Sequence, residues 1–508
     1  MNKILFIFPS VADNPEITKA IAIFNGIAKR RFWQTNYFDT FEYEKNEKST
    51  ASVKARSATG EVKSFANIDS KLKPRQELIG NLQKTIDVFQ PDIIAISCSS
   101  FEYEHLLTFW PKIKIPDKTL ILIGGIHSVL KPEEVITTGL FDMVCVGDGE
   151  EAFDEVLDKY NKQEDLRYIK NIYFNDKGNK EIIINPKRNL TSEDVLWKYE
   201  PDYSLFDDRY FIYPFHGKLY RRFRFEVGRG CPYNCAYCAN SALKAAYHGL
   251  GKYYRTRPLE TMKADMEILL NKYNIEMFLL DDECLLAKSN EWLNDFFEWY
   301  GKAIKKPFLL QTRPETITEE KLEILEKSNA PFFLVKLGVE SGSKRVLKDI
   351  CNRTTEIKQI ERAFEILRRH KKIISGACFM MGFPSETREE IFQTISLCRR
   401  IRPDEMLVNI FQPLPGQKLR DLCVEKGYID EEAKSCFFTD HSILKMPQIS
   451  QKEITNLRKV FPLYATLPEK YFKEIEMCEK DYENNKELYE KLVNLRWNLA
   501  EKEKTVSE

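Results

Sequence analysis

The chain has 508 residues, 43% hydrophobic and 30% charged, with 77 basic and 77 acidic side chains that cancel to no net charge. A chain of this length outgrows a single hydrophobic core and implies two to four domains. The charge balance argues against a protein built to grip nucleic acid phosphates, and no apolar run reaches the roughly 18 residues of a membrane span.

The opening MNKILFIFPS carries one lysine and a short apolar run without a small-residue cleavage site, so it reads as a first buried strand and not as a signal peptide. Residues 16–30 have helical character, and residues 42–75 are polar enough for an irregular insertion. The runs PDIIAIS, TLILIGG and FDMVCVGDGEEAF each end in small or polar residues. Continuous Ile, Val and Leu strands alternating with helices specify a parallel, doubly wound sheet covered on both faces, with ligands at the carboxyl ends of its strands. Those ends carry Ser10, Ser97, Ser99, Ser100, Gly124, Gly125, His127, Gly147, Gly149 and Glu150, and their small side chains predict room for a large flat group. YFNDKGNKEIIINP reads as a hairpin, and the aromatic, charged stretch from Trp197 to Phe225 crosses to a second domain.

A second alternating series begins at residue 222. RFEVG, EMFLLDD, FLLQTR, FFLVKLGVES, ISGACFMMGF and EMLVNIFQPLPG read as strands separated by helices. One helix aligns Leu259, Met262, Met266 and Leu269 on a single face, and another aligns Ile357, Ile360, Phe364 and Leu367. Six strand–helix repeats imply a partial or complete parallel barrel with its chemistry at the strand C-terminal ends. Beyond about residue 430 the chain turns polar and helical, and EKDYENNKELYEKL reads as a solvated helical face. The expected plan is a doubly wound domain over 1–185, a linker over 186–220, a partial barrel over 221–430 and a helical region over 431–508.

Twelve cysteines, mostly inside apolar runs, suit a reducing cytoplasm. Three of them, Cys231, Cys235 and Cys238, fall together in GRGCPYNCAYCAN with the spacing C-x3-C-x2-C. Structural zinc takes four ligands, commonly as paired C-x2-C units. No second pair exists here and none of the six histidines stands at zinc-finger spacing, which leaves a zinc-stabilised binding module as the lesser alternative. A 4Fe–4S cluster takes four thiolates, so three leave one iron with an open position, as a catalytic centre keeps for its substrate.

C-x3-C-x2-C with Tyr237 before the last cysteine, directly after the first barrel strand, resembles the signature of the radical S-adenosylmethionine superfamily. The resemblance implies a 4Fe–4S cluster on Cys231, Cys235 and Cys238, with S-adenosylmethionine on the open iron and a 5′-deoxyadenosyl radical that abstracts hydrogen from substrate. It further implies contacts to the methionine amino group at Asp281 and Asp282, to its carboxylate at Arg313, and to the ribose at Glu340 and Ser341. Tyr237 and the QPLPG backbone would lie against the adenine, and Gly382 and Glu386 match a G-x-x-x-E feature of the family. The residue types suit the task, carboxylates answering an ammonium and hydroxyls, a guanidinium answering a carboxylate.

The doubly wound domain ahead of the barrel resembles the cobalamin-binding branch of the same superfamily, over most of residues 1–430. The implied fold is α/β: a Rossmann-like cobalamin-binding domain, a partial (β/α)6 TIM-like barrel and a helical C-terminal region. No D-x-H-x-x-G motif is present to ligate cobalt from below. The implied function is a cobalamin-dependent radical methyltransferase acting on an unactivated carbon of a small molecule. Ring formation or rearrangement without methyl transfer is the alternative. Expected partners are that small molecule and an electron donor such as flavodoxin or ferredoxin, with no nucleic acid.

Overall fold

The computed structural model describes residues 1–12, 15–44, 72–438 and 441–507, so most of the insertion expected at 42–75 lies outside the described residues. Two seven-stranded sheets organise them. The first contains β1 (Lys3–Phe8), β2 (Gln34–Asp39), β3 (Ile93–Ser97), β4 (Leu120–Gly124), β5 (Met143–Cys145), β6 (Ile172–Asp176) and β7 (Glu181–Ile184), in the order β2-β1-β3-β4-β5-β6-β7. The strands β1 to β5 are parallel, and β6 and β7 add an antiparallel hairpin at the edge. This order reverses direction between β1 and β3, the point at which doubly wound sheets open a crevice at their carboxyl ends. Alternation along β1 shows why both faces are covered: Ile4 and Phe6 enter one apolar cluster, Leu5 and Ile7 another.

The second sheet runs β16-β15-β14-β13-β12-β9-β8 and comprises β8 (Ile212–Phe215), β9 (Lys218–Glu226), β12 (Met277–Asp281), β13 (Phe308–Thr312), β14 (Phe333–Glu340), β15 (Ile373–Met381) and β16 (Glu405–Ile410). Six of its strands are parallel and β8 is antiparallel; β9 and β16 do not pair, so the sheet is a curled, open partial barrel. A short ribbon, β10 (Gly228–Arg229) with β11 (Arg255–Thr256), brackets the cysteine loop.

One continuous apolar core joins the two sheets, from Phe6 and Phe153 to Phe225, Phe278 and Phe333. The aromatic crossing is part of this seam: Phe206 packs on Tyr37 with ring centroids 5.2 Å apart, and the Tyr210 hydroxyl donates to Asp39 at 3.1 Å. Beyond the barrel lie the helices Gln451–Thr466, Phe472–Lys480 and Lys486–Ser507. The expected solvated face at 479–492 is instead a helix end, a turn and a packed helix. Glu479 is buried against Arg388 at 2.6 Å, and Tyr489 and Leu492 enter the core. A dense run of charges hid a stripe with i, i+3 spacing. No helix among the described residues is long and apolar enough to cross a membrane.

Candidate functional site

The cysteine loop joins β10 to the helix Ala239–Ala246, and Cys238 is that helix's N-cap residue. The positive end of the helix dipole therefore faces this sulfur. Gly230 has φ of 78°, and a β-carbon there would meet the Tyr253 carbonyl at 2.5 Å, so the loop leaves the ribbon at a position only glycine fills. The Lys244 ammonium donates to the carbonyls of Pro232 and Tyr233 at 3.2 and 3.1 Å, and the Gln417 amide donates to Tyr237 O at 2.5 Å.

All three cysteines are half-buried free thiols. Burial pushes the Cys231 thiol up to about 12 and the Cys238 thiol up to about 11. The bare Cys231 and Cys238 thiols stay protonated at neutral pH, and a bound metal centre is what would make them thiolates. Among the described residues no three His, Cys, Asp or Glu side chains converge on a point as ligands of one ion.

The barrel strand ends surround this loop. At the end of β13, Arg313 pairs with Glu315 at 2.5 Å, donates to Cys235 Sγ at 3.6 Å and lies 3.9 Å over the Tyr233 ring. At the end of β14 the register with β15 slips between Gly338 and Glu340, and Glu340 takes a φ of 66°. Such a bulge with a left-handed non-glycine residue re-aims a side chain at some energetic cost. Burial raises the Glu340 carboxyl even though Arg353 stands 3.3 Å away. Tyr237 is half-buried beside it, edge-on to Phe383 with centroids 5.7 Å apart.

Four of the expected residues are taken up by other groups. Asp281 is bound by Lys19 and Arg224; burial pushes its carboxyl up, but those two cations hold it well below the usual range. Asp282 is buried against Lys288 at 2.9 Å. Ser341 turns its hydroxyl to Thr394 at 3.2 Å. Glu386 accepts from the Gly382 and Phe383 amides at 2.6 and 3.1 Å, which closes the G-x-x-x-E turn on itself. Neighbouring Glu283, which sequence reasoning passed over, is exposed to the same cleft and has no ion-pair partner among the described residues. Its position directly after LLDD was the available signal.

The carboxyl ends of the first sheet face the cysteine loop's ribbon across one cleft of about 1550 Å³, open solvent at its mouth included. Ser97, Gly124, Gly125, Gly147, Gly149 and Glu150 line it from one side, and Gly228, Arg229, Asn240, Tyr253, Asp281 and Glu283 from the other. It runs on as an apolar slot past Phe6, Ala95, Leu122 and Phe153. The walls are tied by ion pairs: Glu150 with Arg229 at 2.6 Å, Asp148 with Arg255 at 2.5 Å, and Lys19 with Asp281. A broad mouth with polar walls and an apolar slot behind fits a large group with an elongated tail.

The glycines serve this space less directly than expected. A β-carbon at Gly125 would meet the Cys98 carbonyl at 2.3 Å, and one at Gly149 would meet the Phe24 ring at 2.7 Å, so protein atoms already fill those places. Four other expected residues stand away from the cleft. Ser10 accepts from the Ala12 amide at 3.3 Å, and Ser99 caps the helix Ser100–Leu107 together with Glu102. Ser100 meets His127 Nδ1 at 3.0 Å, and His127 stacks on Tyr103 with centroids 4.1 Å apart, facing a separate pocket beside Arg420 and Lys434.

Residues 225–398 match the model of the Radical SAM superfamily. An uncharacterized methyltransferase of Pyrococcus horikoshii is 25% identical over 78% of this chain and 83% of its own length. The anaerobic magnesium-protoporphyrin IX monomethyl ester cyclase of Cereibacter sphaeroides is 25% identical over 67% of this chain, a match that spans 55% of the cyclase. Among solved structures, the radical S-adenosylmethionine methyltransferase TsrM of Kitasatospora setae, with cobalamin and a [4Fe–4S] cluster bound, superposes with a TM-score of 0.61 at 12% identity over 84% of this chain and 75% of its own. The cobalamin-dependent S-adenosylmethionine radical enzyme OxsB, with aqua-cobalamin and S-adenosylmethionine bound, gives a TM-score of 0.61 at 15% identity over 98% of this chain and 71% of its own. At these identities the two structures establish a shared fold, in which a doubly wound domain precedes the partial barrel.

Proposed function

We propose that this chain, whose residues 225–398 match the Radical SAM superfamily model, is a cobalamin-dependent radical methyltransferase acting on an unactivated carbon of a small molecule. The observation that carries this reading is the single cleft. The strand ends of the doubly wound sheet and the residues on either side of the cysteine loop, Gly230 and Asn240, line the same space. When bound, a [4Fe–4S] cluster, S-adenosylmethionine and cobalamin would supply radical generation and a methyl carrier, chemistry that side chains lack.

The chain's own residues bind, orient and exclude water. Cys231, Cys235 and Cys238 would hold the cluster. The Arg313 fork, already fixed by Glu315 and the Tyr233 ring, would take the methionine carboxylate. Glu340, at the β14 bulge, would take the ribose hydroxyls. The methionine ammonium is assigned to the end of β12, where Asp281 and Asp282 already answer to cations and Glu283 remains open to the cleft. The buried Phe383 ring, packed edge-on to Tyr237, would help keep water from the cysteine loop. The free thiols suit a reducing cytoplasm, and a flavodoxin- or ferredoxin-like donor would supply the electron.

Ring closure without methyl transfer is the second reading, favoured by the similarity to the cyclase. Protein reconstituted anaerobically with iron, sulfide and cobalamin, then given S-adenosylmethionine and a reductant but no substrate, separates the two. Methyl transfer is expected to release S-adenosylhomocysteine beside 5′-deoxyadenosine. Release of 5′-deoxyadenosine alone would favour ring closure, and release of neither would contradict both.

A further inference from the structure

Three consecutive residues after β14, Cys351, Asn352 and Arg353, meet the cysteine loop at three points. The Cys351 carbonyl accepts from the Ala236 amide at 2.9 Å, the Asn352 side chain donates to the Asn234 carbonyl at 2.9 Å, and Arg353 donates to the Tyr237 hydroxyl at 3.0 Å. These loop positions flank Cys235 on both sides and reach to the residue before Cys238. The segment leaves a single π-type turn, Val346–Ile350, and Asn352 adopts a φ of 53°. Wide turns of this kind and left-handed asparagine are local departures that persist where surrounding contacts enforce them.

Arg353 binds more than the loop. Its guanidinium is 3% exposed, donates to the Gly338 carbonyl at 2.7 Å and pairs with Glu340 at 3.3 Å, so one planar fork spans the β14 bulge and the cysteine loop. A β-carbon at Gly338 would meet the Glu340 carboxylate at 2.7 Å, so Glu340 folds back over that position to reach Arg353. A buried carboxylate and a buried guanidinium in contact each depend on the other for compensation. Removing the fork would free Tyr237 and Glu340 together.

We infer that Cys351, Asn352 and Arg353 form a clamp in which Arg353 is a positioning residue, holding the cysteine loop in register with Glu340 so that cluster and S-adenosylmethionine meet in one geometry. The inference rests on the cysteine loop holding an iron–sulfur cluster. Supporting groups of this type change metal affinity or activity by about 10- to 100-fold when altered.

Arg353→Lys keeps the charge but loses the fork. After anaerobic reconstitution, three quantities are compared with wild type: iron per chain, the S-adenosylmethionine dissociation constant, and the change in the reduced cluster's electron paramagnetic resonance on adding S-adenosylmethionine. Arg353→Lys is expected to weaken S-adenosylmethionine binding by about 10-fold or more and to diminish the spectral change. Tyr237→Phe removes one hydroxyl from a well-packed ring and is the second variant should Arg353→Lys fail to fold; a smaller loss in the same direction is expected. Asn352→Gly keeps the left-handed backbone, removes the amide donor and should lower iron per chain. Wild-type iron, binding and spectra in the folded variants would overturn the clamp alone. A wild-type protein that takes up no iron would overturn the reading of the loop and the clamp with it.

Discussion

At the scale of single residues, burial separates groups that the sequence presents as equals. Glu386 is fully buried with two backbone donors and no direct ion pair among the described residues, and burial raises its carboxyl to about 8. The unfolded chain releases this proton near pH 4.5, so between that pH and about 8 the folded state binds more protons than the unfolded one. Stability from this group is therefore complete at low pH and lost as pH rises through the folded value. The melting temperature is expected to fall by several degrees between pH 5.5 and 8.5, and Glu386→Gln should flatten that slope; an unchanged slope in the variant would contradict the assignment. Cys235→Ala is expected to abolish iron uptake and S-adenosylmethionine cleavage together, read by iron assay and by 5′-deoxyadenosine release. Residue types at the strand ends were legible in the sequence, but their partners were not. Nothing local to LLDD shows that Lys19, 262 positions away, neutralises Asp281, or that Lys288 occupies Asp282.

Among the elements, the strands were the most legible, because strands buried on both faces are written as unbroken apolar runs. PDIIAIS, TLILIGG, EMFLLDD and ISGACFMMGF became β3, β4, β12 and β15 nearly to the residue. The ribbon of β10 and β11 was invisible, since two-residue strands carry no period. The C-terminal helices were expected, but their packed face was missed for the opposite reason. Charges outnumber the apolar stripe, and Glu479 looks like one more solvated acid until Arg388 and the Tyr464 hydroxyl close on it, the latter at 3.0 Å. The two readings differ in a stability measurement. A surface acid is replaceable at almost no cost, whereas Glu479→Ala in the observed packing should destabilise by about 1–3 kcal/mol, because it strands a partly buried guanidinium and a buried hydroxyl. Denaturant unfolding of this variant beside a Glu476→Ala control measures the difference.

At the scale of the whole molecule, ion pairs add to the apolar core that joins the two sheets. Glu16 pairs with Arg222 at 2.8 Å, Glu150 with Arg229, Asp148 with Arg255 and Lys19 with Asp281, each joining the doubly wound domain to the barrel. The order of the two sheets, doubly wound first and partial barrel second, could be read from the chain. This seam could not, because ion pairs between distant segments have no sequence period. Lys19→Met is expected to lower stability by only about 1 kcal/mol, since Arg224 still serves Asp281, while increasing amide hydrogen exchange in the helix Lys19–Arg30 that carries it. Unaltered exchange there would remove Lys19 from the seam.

The central claim is that one cleft serves two cofactors, and metal content tests it most directly. Protein produced and purified anaerobically with iron and cobalamin supplied should contain about four irons and one cobalt per chain in a single sample, with cobalt retained through gel filtration. One zinc and no iron, or a full complement of iron with no cobalt after the same treatment, would contradict it.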